Sequence, residues 1–304
     1  MIGNNYIFGK RIIRIRACFI FNRVLRRRYR TYCFELLLNN LVSKCKWGVS
    51  YSVFDGHELL EHSIRSIRNH VDYVNVVYQK SSWYGVPADD GLLPCLYKLR
   101  AQGLIDELIE YTANPNISAP VQEINKRNMG LSAAKRAGCN YFMTMDTDEF
   151  YIGSEFENAK KYIVKNEITH SFCNIVNYGL LPTDRLVAAT PSFVQFMSKI
   201  GRFSKLGKNQ NNICLIDPTR GLTKYSMFGM RGVGDNQYFL SNIQMHHFTY
   251  LRKNVIFKMK NSSSKQNHNC SYSDLSKKTV AKGPDLFNLM PLYNNWGNTE
   301  DKNA

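Results

Sequence analysis

The sequence is short of acid, has no paired cysteines and lacks long apolar runs. Against 40 Lys and Arg it carries 24 Asp and Glu, for a formal net charge of +16. A balance this basic calls for an anionic partner or substrate: nucleic acid, acidic lipid or nucleotide phosphates. No stretch approaches the ~18–20 consecutive apolar residues that cross a bilayer. The eight cysteines are spread evenly and none forms a C-x-x-C pair, which argues against a disulfide framework or a zinc motif and predicts reduced thiols in the cytoplasm. "GKRIIRIR" and "GMRGVG" match neither a P-loop nor G-x-G-x-x-G. The N-x-S/T triplets at Asn116, Asn261 and Asn269 are what chance yields in a chain so rich in Asn. With 304 residues, 44% of them hydrophobic, the chain can build one large domain or two ordinary ones, and disorder throughout is excluded.

The basic residues are unevenly placed. Residues 1–46 hold eleven Lys or Arg and a single acid, Glu35, so this segment alone carries +10. Between the charges lie "ACFIF" (17–21) and "FELLL" (34–38). No clean apolar core and cleavage site follow the charges, so a signal peptide does not fit. A basic, apolar-rich helix lying on an anionic membrane face fits better. A solvated helix packed on the domain is the plainer reading, and RNA binding through "RVLRRRYR" (23–30) is a third.

After residue 46 the pattern alternates. Strands are expected at 47–54, 73–79, 105–111 and from 141. Helices are expected after "DG" at 55–56, over 89–103 and over 119–138. This predicts an α/β fold with a mainly parallel sheet, whose ligands sit at the carboxyl ends of its strands. Residues 151–250 are less regular, with strands expected at 171–179, 192–200, 212–217 and 242–250 and a helix at 155–166. The chain from 261 to 304 turns polar and reads as a loop-rich extension with a frayed end.

The most informative stretch is "YFMTMDTDEF" (141–150), in which an apolar run meets Asp146, Asp148 and Glu149. If the strand continues through them, Asp146 and Asp148 share a side. Two bare carboxylates ~4 Å apart repel by roughly 4 kcal/mol at an effective dielectric near 20. A shared proton or a divalent cation would offset that. Hard oxygen ligands suit Mn²⁺ or Mg²⁺, which bind through one or two carboxylates plus substrate phosphates. The plain alternative is an acidic turn at a strand end.

Read together, "NKRNMGLSAAKRAGCNYFMTMDTDEFY" (125–151) resembles the centre of a family-2-like glycosyltransferase with the GT-A fold: a helix with a basic residue and an Asn-x-Gly-like step, then a strand ending in a D-x-D motif. "NVVYQKSSWYG" (75–85) is similar to that family's second strand and the loop facing the nucleotide. "MHHFTYLRKN" (245–254) resembles a late strand that supplies a His to the metal in some members. The resemblance covers about 47–150 and extends weakly to ~260. It implies a Rossmann-like, mainly parallel mixed sheet with flanking helices over 47–260, preceded by the basic segment 1–46. It also implies a nucleotide-sugar donor, Mn²⁺ or Mg²⁺, and transfer to an acceptor hydroxyl. Carried over by position, Asp146 and Asp148 hold the metal and the donor's ribose and diphosphate. Asp55, Gln79 and Ser82 line the nucleoside pocket, with Lys126 or Arg127 close by. Where the family carries an acidic pair after the second strand, this chain has "QKSS".

His246 and His247 are adjacent, so in a strand at most one of them reaches the metal, and His247 is the one favoured. An inverting transferase needs a carboxylate base, for which Asp235 in a glycine-bearing loop and Glu149 are the candidates; a retaining enzyme needs none. Lys258 and Arg252 are placed to neutralise a leaving diphosphate. A glycan or glycolipid acceptor, as in polysaccharide biosynthesis, suits a peripheral enzyme on the inner membrane face. Two rivals stand beside this reading. A nucleotidyltransferase of similar fold wants a Gly-rich basic loop after the first strand, where this chain has the acidic "FDGHELLEH" (54–62). A nucleic-acid-binding protein using the basic arm predicts binding that weakens steeply with salt and ignores the carboxylates.

Overall fold

The computed structural model describes residues 33, 35–187, 190–208, 217–224, 237–261 and 279–296. The chain divides into two units, 1–44 and 45–304. In the first, residues 35–43 form helix α1, with Leu36, Leu37 and Leu41 exposed. No helix among the described residues is long and apolar enough to cross a membrane.

The second unit is built on one eight-stranded sheet. Strands β1 (Trp47–Val53), β2 (Tyr73–Tyr78), β3 (Glu107–Glu110) and β4 (Tyr141–Met145) run parallel. Between them come helices α2 (His57–Ile67), α3 (Leu92–Ala101) and α4 (Ala119–Arg136). β1, β2 and β4 are buried almost without a break. That is why they read as continuous apolar runs and not as alternation: helices cover both faces of a parallel sheet.

Beyond β4 come β5 (Glu149–Phe150), helix α5 (Gly153–Lys165), β6 (His170–Asn177), β7 (Asp184–Leu186), β8 (Phe193–Lys199), β9 (Ser204–Gly207), β10 (Gly221–Lys224) and β11 (Gln237–His247). The order across the sheet is β3-β2-β1-β4-β8-β6-β11-β5. β8 is antiparallel to β4 and β6, β11 is parallel to β6, and β5 is antiparallel to β11. This is the mainly parallel mixed sheet with flanking helices that the sequence predicts. β9 pairs with β10 in a separate ribbon.

Two features set the site. The chain steps outward from β1 to β3 and then returns to lay β4 on the other side of β1, so the carboxyl ends of β1 and β4 flank a topological switch point. Helix α4 lies close over β1 and β2 there. A Cβ built on Gly130 would stand 1.8 Å from Ser50 Oγ and 3.0 Å from Asn75 Oδ1, so only glycine lets the helix approach this near.

The C-terminal stretch departs from expectation. Within residues 279–296, β12 (Val280–Lys282) pairs with β7, and helix α6 (Val255–Asn261) is followed in that stretch by α7 (Met290–Trp296). Leu289 is buried with Leu59, Phe150, Tyr178, Phe248 and Leu251, and Phe287 and Trp296 pack against them. Apolar residues spaced through a polar stretch find a long-range partner surface, which overrides the local loop signals. The expected strand at 212–217 lies almost wholly outside the described residues.

Candidate active site

At the carboxyl ends of β1 and β4 a cleft is lined by Phe54, Asp55, Trp83, Glu123, Lys126, Asp146, Thr147 and Asp148, together with Arg252, Lys258 and Asn261 from the segment after β11. The two aspartates do meet there, though not by strand geometry. β4 ends at Met145, and Asp146 opens a turn closed by the Glu149 amide donating to Asp146 O at 3.3 Å. The alternation of a strand therefore does not govern them, and each carboxylate has its own set of cations.

Asp146 is held by guanidinium groups. Arg127 Nη2 reaches its two oxygens at 3.2 and 3.3 Å, and Arg220 Nη2 donates to Oδ2 at 2.9 Å. Burial pushes its carboxyl up, and the two arginines outweigh that, leaving it below the usual range. Its side chain stays 34% exposed to the cleft. Arg127 itself is completely buried. It donates to Glu123 Oε1 at 2.7 Å, to Asp217 Oδ2 at 2.8 Å and to the Thr144 hydroxyl. It is therefore set beneath the cleft surface.

Glu149 is likewise set back. Its Oε1 and Oε2 accept from Arg220 at 2.5 and 2.8 Å, and Oε2 also accepts the Asp146 amide at 3.1 Å. Burial, reinforced by Asp146, keeps its pKa above the ordinary value despite Arg220. It lines no part of the cleft, so this arrangement suits bracing and not proton abstraction. Asp235 lies outside the described residues.

Asp148 is 1% exposed and faces three nitrogens: Lys258 Nζ at 2.5 Å, Arg252 Nη2 at 2.7 Å and His247 Nε2 at 3.6 Å from Oδ2. Burial opposes its ionisation, but Lys258 and Arg252 hold its pKa well below the usual range. Arg252 Nη1 also meets Asp55 Oδ1 at 3.0 Å. Glycine at position 56 makes that reach possible: φ is +70°, and a Cβ there would lie 2.2 Å from Arg252 Nη1. Carboxylate repulsion is thus offset by the chain's own cations.

Asp148 Oδ1 is buried and has no hydrogen-bond partner, a costly vacancy for an ionised oxygen. His247 Nδ1 lies 3.1 Å from Asn177 Oδ1. The Thr249 hydroxyl stands 2.7 Å from Nε2 and 3.1 Å from Nδ1 of the same ring. His246 points the other way, as alternation requires. Its Nδ1 meets the Tyr178 hydroxyl at 2.9 Å, and burial lowers its pKa to about 4. Among the described residues no group of three or more His, Cys, Asp or Glu is arranged to hold a metal ion. His247 Nε2 lies 3.6 Å from Asp148 Oδ2, an oxygen already paired with Lys258 and Arg252.

On the β2 side, Gln79 and Ser82 are buried and do not line this cleft. The Gln79 amide donates to Ser81 O at 2.8 Å, and Ser82 Oγ accepts the amides of Tyr84 and Val86 at 3.2 and 3.1 Å. They build a tight loop that carries Trp83 into the cleft, which Phe54, stacked on Phe257 at 5.8 Å, also lines. Lys126 lines the cleft. It is buried, its ammonium donates to Val53 O at 2.8 Å, and it stands 5.6 Å from the Trp83 ring centre. Burial lowers its pKa to about 7 although Asp146 opposes.

Sequence reasoning missed Trp83, Phe54, Asp217 and Arg220. The pairing of Glu123 with Arg127 has the i,i+4 spacing that could have been read, and Asp217 with Arg220, 2.8 Å apart, has the i,i+3 spacing.

No family model matches the chain, and no curated protein matches it in sequence. Among solved structures, S. aureus TarS is similar at a TM-score of 0.34 and 14% identity, over 43% of this chain and 22% of that one. TarS residues 1–349 in complex with UDP-GlcNAc give a TM-score of 0.30 and 17% identity, over 43% and 35%. GalNAc-T7 with UDP, GalNAc and Mn²⁺ gives 0.36 and 10% identity, over 83% and 54%. The chain spans less than two thirds of the length of each.

Proposed function

We propose that this chain is a glycosyltransferase of GT-A type that moves a sugar from a nucleotide-sugar donor to a hydroxyl of a glycan or glycolipid acceptor. The observation that carries the reading is a cleft at the switch point of a mainly parallel sheet, where Asp146 and Asp148 face Lys126, Arg252 and Lys258. Such a cleft suits a ligand that is at once hydroxylated and polyanionic, as a nucleotide sugar is.

In this reading Asp146, Asp148 and His247 would hold Mn²⁺ or Mg²⁺, which would supply positive charge to a departing diphosphate. Arg252 and Lys258 add fixed and movable positive charge on the same side. Asp146, clamped by Arg127 and Arg220, presents its exposed edge to ribose or sugar hydroxyls. Trp83 and Phe54 offer flat faces to the nucleoside, and Asp55 completes that side. Glu149 braces Arg220, which leaves Asp235 as the candidate base if the reaction inverts. The basic segment 1–46 would keep the enzyme peripheral on an anionic inner membrane face.

The test is a thermal-shift screen of nucleotide sugars and nucleoside diphosphates with and without Mn²⁺. A ligand at 100 times its Kd should stabilise the fold by about 2.7 kcal/mol. At least one nucleotide should raise Tm, and more so with the metal. No shift from any nucleotide under either condition would overturn the reading.

A further inference from the structure

We propose that the turn between β8 and β9, with the basic side chains around it, is a docking face for anionic phospholipid headgroups, and that the cleft is turned away from the bilayer. The inference deepens the peripheral placement given above and does not depend on the donor chemistry.

The face is built at the amino end of β4. Lys199 closes β8 opposite Tyr141, the first residue of β4. The Ile200 amide donates to Asn140 O at 2.8 Å, and the Lys46 amide donates to Asn140 Oδ1 at 2.7 Å. The turn itself is fixed by the Gly201 amide donating to Ser204 Oγ at 3.0 Å and the Ser204 amide donating to Gly201 O at 3.1 Å. Lys135, in the last turn of α4, donates to Arg202 O at 3.2 Å and to Ser204 O. These bonds hold Arg202 and Phe203 at an exposed tip. Phe203 is 44% exposed, and the Arg202 guanidinium stands 5.6 Å from its ring centre. Lys199 and Lys205, which flank the turn, are exposed as well.

Nearby acids do not cancel this charge. Asp72 accepts the Trp47 amide at 2.7 Å, and Glu107 pairs with Arg136 at 2.8 Å. Glu167, exposed just past α5 and near Tyr141, offsets one charge. Lys46, Lys199, Arg202 and Lys205 therefore leave a positive rim around an aromatic tip. Basic side chains are drawn to anionic headgroups, and an apolar ring among them enters the headgroup boundary. The basic segment 1–46 carries +10 and ends at Lys46, and its helix α1 exposes Leu36, Leu37 and Leu41. Aliphatic side chains among cations suit a bilayer, whereas single-stranded nucleic acid is held by stacking on aromatic rings.

The cleft opens at the other ends of the same strands. At about 3.3 Å per residue, the runs from Tyr141 to Asp146 and from Trp47 to Phe54 span roughly 17–23 Å. Docked this way, the protein reaches the outer part of a glycan chain and not a sugar at the bilayer surface.

The test sediments the full chain with vesicles of phosphatidylcholine, pure or mixed with phosphatidylglycerol. Wild type is compared with Lys199→Glu/Arg202→Glu and with the charge-preserving Lys199→Arg/Arg202→Lys, each with an unfolding transition like that of wild type. Wild type should bind mixed vesicles at least about tenfold more tightly than pure ones. Charge reversal should weaken binding to mixed vesicles at least about tenfold although segment 1–46 is intact, and the charge-preserving variant should match wild type. Phe203→Trp should gain fluorescence quenching by spin-labelled lipid over wild type. Tyr84→Trp, on the loop that carries Trp83 at the cleft, should not. Equal vesicle binding by wild type and the charge-reversed variant overturns the inference. So does quenching gained by Tyr84→Trp and not by Phe203→Trp, or a charge reversal that weakens binding to single-stranded RNA and not to vesicles. Binding of UDP and other nucleoside diphosphates to the same proteins is read separately. If it holds while docking fails, the transferase reading survives; if docking holds without it, that reading falls and the docking face stands.

Discussion

Arg220 grips Glu149 through two hydrogen bonds of 2.5 and 2.8 Å, and the same guanidinium reaches Asp146 at 2.9 Å. A bidentate pair of this kind is directional as well as strong. It turns a buried glutamate into a fixed anchor for the cation that orients the cleft's first aspartate. Arg220→Met strands Glu149 as an uncompensated buried carboxylate, so it should cost about 3–5 kcal/mol in chemical denaturation. The double variant Arg220→Met/Glu149→Met should recover part of that loss. A loss in the double variant equal to the sum of the two single losses would show that the pair is not coupled.

Lys126 gives a pH signature. Its folded pKa is about 7 because of burial, against about 10.4 in an unfolded chain. Between these values the unfolded chain holds a proton that the folded chain does not, so stability rises with pH at up to about 1.4 kcal/mol per unit. Below pH 7 the penalty is present in full. Lys126→Met should remove this rise, whatever constant cost it incurs by leaving Val53 O unpaired. Unfolding free energies at pH 7, 8 and 9 for both proteins check the difference in slope.

Trp83 should act on the nucleoside alone. Trp83→Ala should weaken binding of a nucleoside diphosphate by about 1–3 kcal/mol, the range for stacking of a base on an aromatic ring. Binding of inorganic pyrophosphate should hold. Competition calorimetry separates the two ligands.

Gly130 tests the close approach of α4. Gly130→Ala places a Cβ 1.8 Å from Ser50 Oγ and should destabilise the fold by about 1–3 kcal/mol. Ser50→Gly in the same chain should restore most of it, as read by the urea midpoint.

Much of the scaffold was legible because its signals are local. β1 and β2 are unbroken buried runs, and α4 has Pro120 in its first turn and ends before Gly138 at φ +78°. Asp146 and Asp148 stood out by contrast with the apolar strand before them. What failed was the assumption that the strand continues through them, since a turn after Met145 is a matter of tertiary fit. Gln79 and Ser82 were read as ligand contacts because they are polar beside a strand end. In fact buried polar side chains there satisfy the backbone of the loop that presents Trp83. Arg220 has a local partner in Asp217 at i,i+3, but its grip on Glu149, 71 positions away, has no sequence signal, since no periodicity links the two.

The most direct test of the central claim is nucleoside diphosphate release from a panel of nucleotide sugars with Mn²⁺, comparing wild type with Asp148→Asn at matched folded fraction. We expect wild type to release product from at least one donor and the variant to be slower by about 10²-fold or more, the loss typical of removing a group that stabilises charge in the transition state. Equal rates in the two proteins, or no release from any donor by folded wild type, would contradict the account.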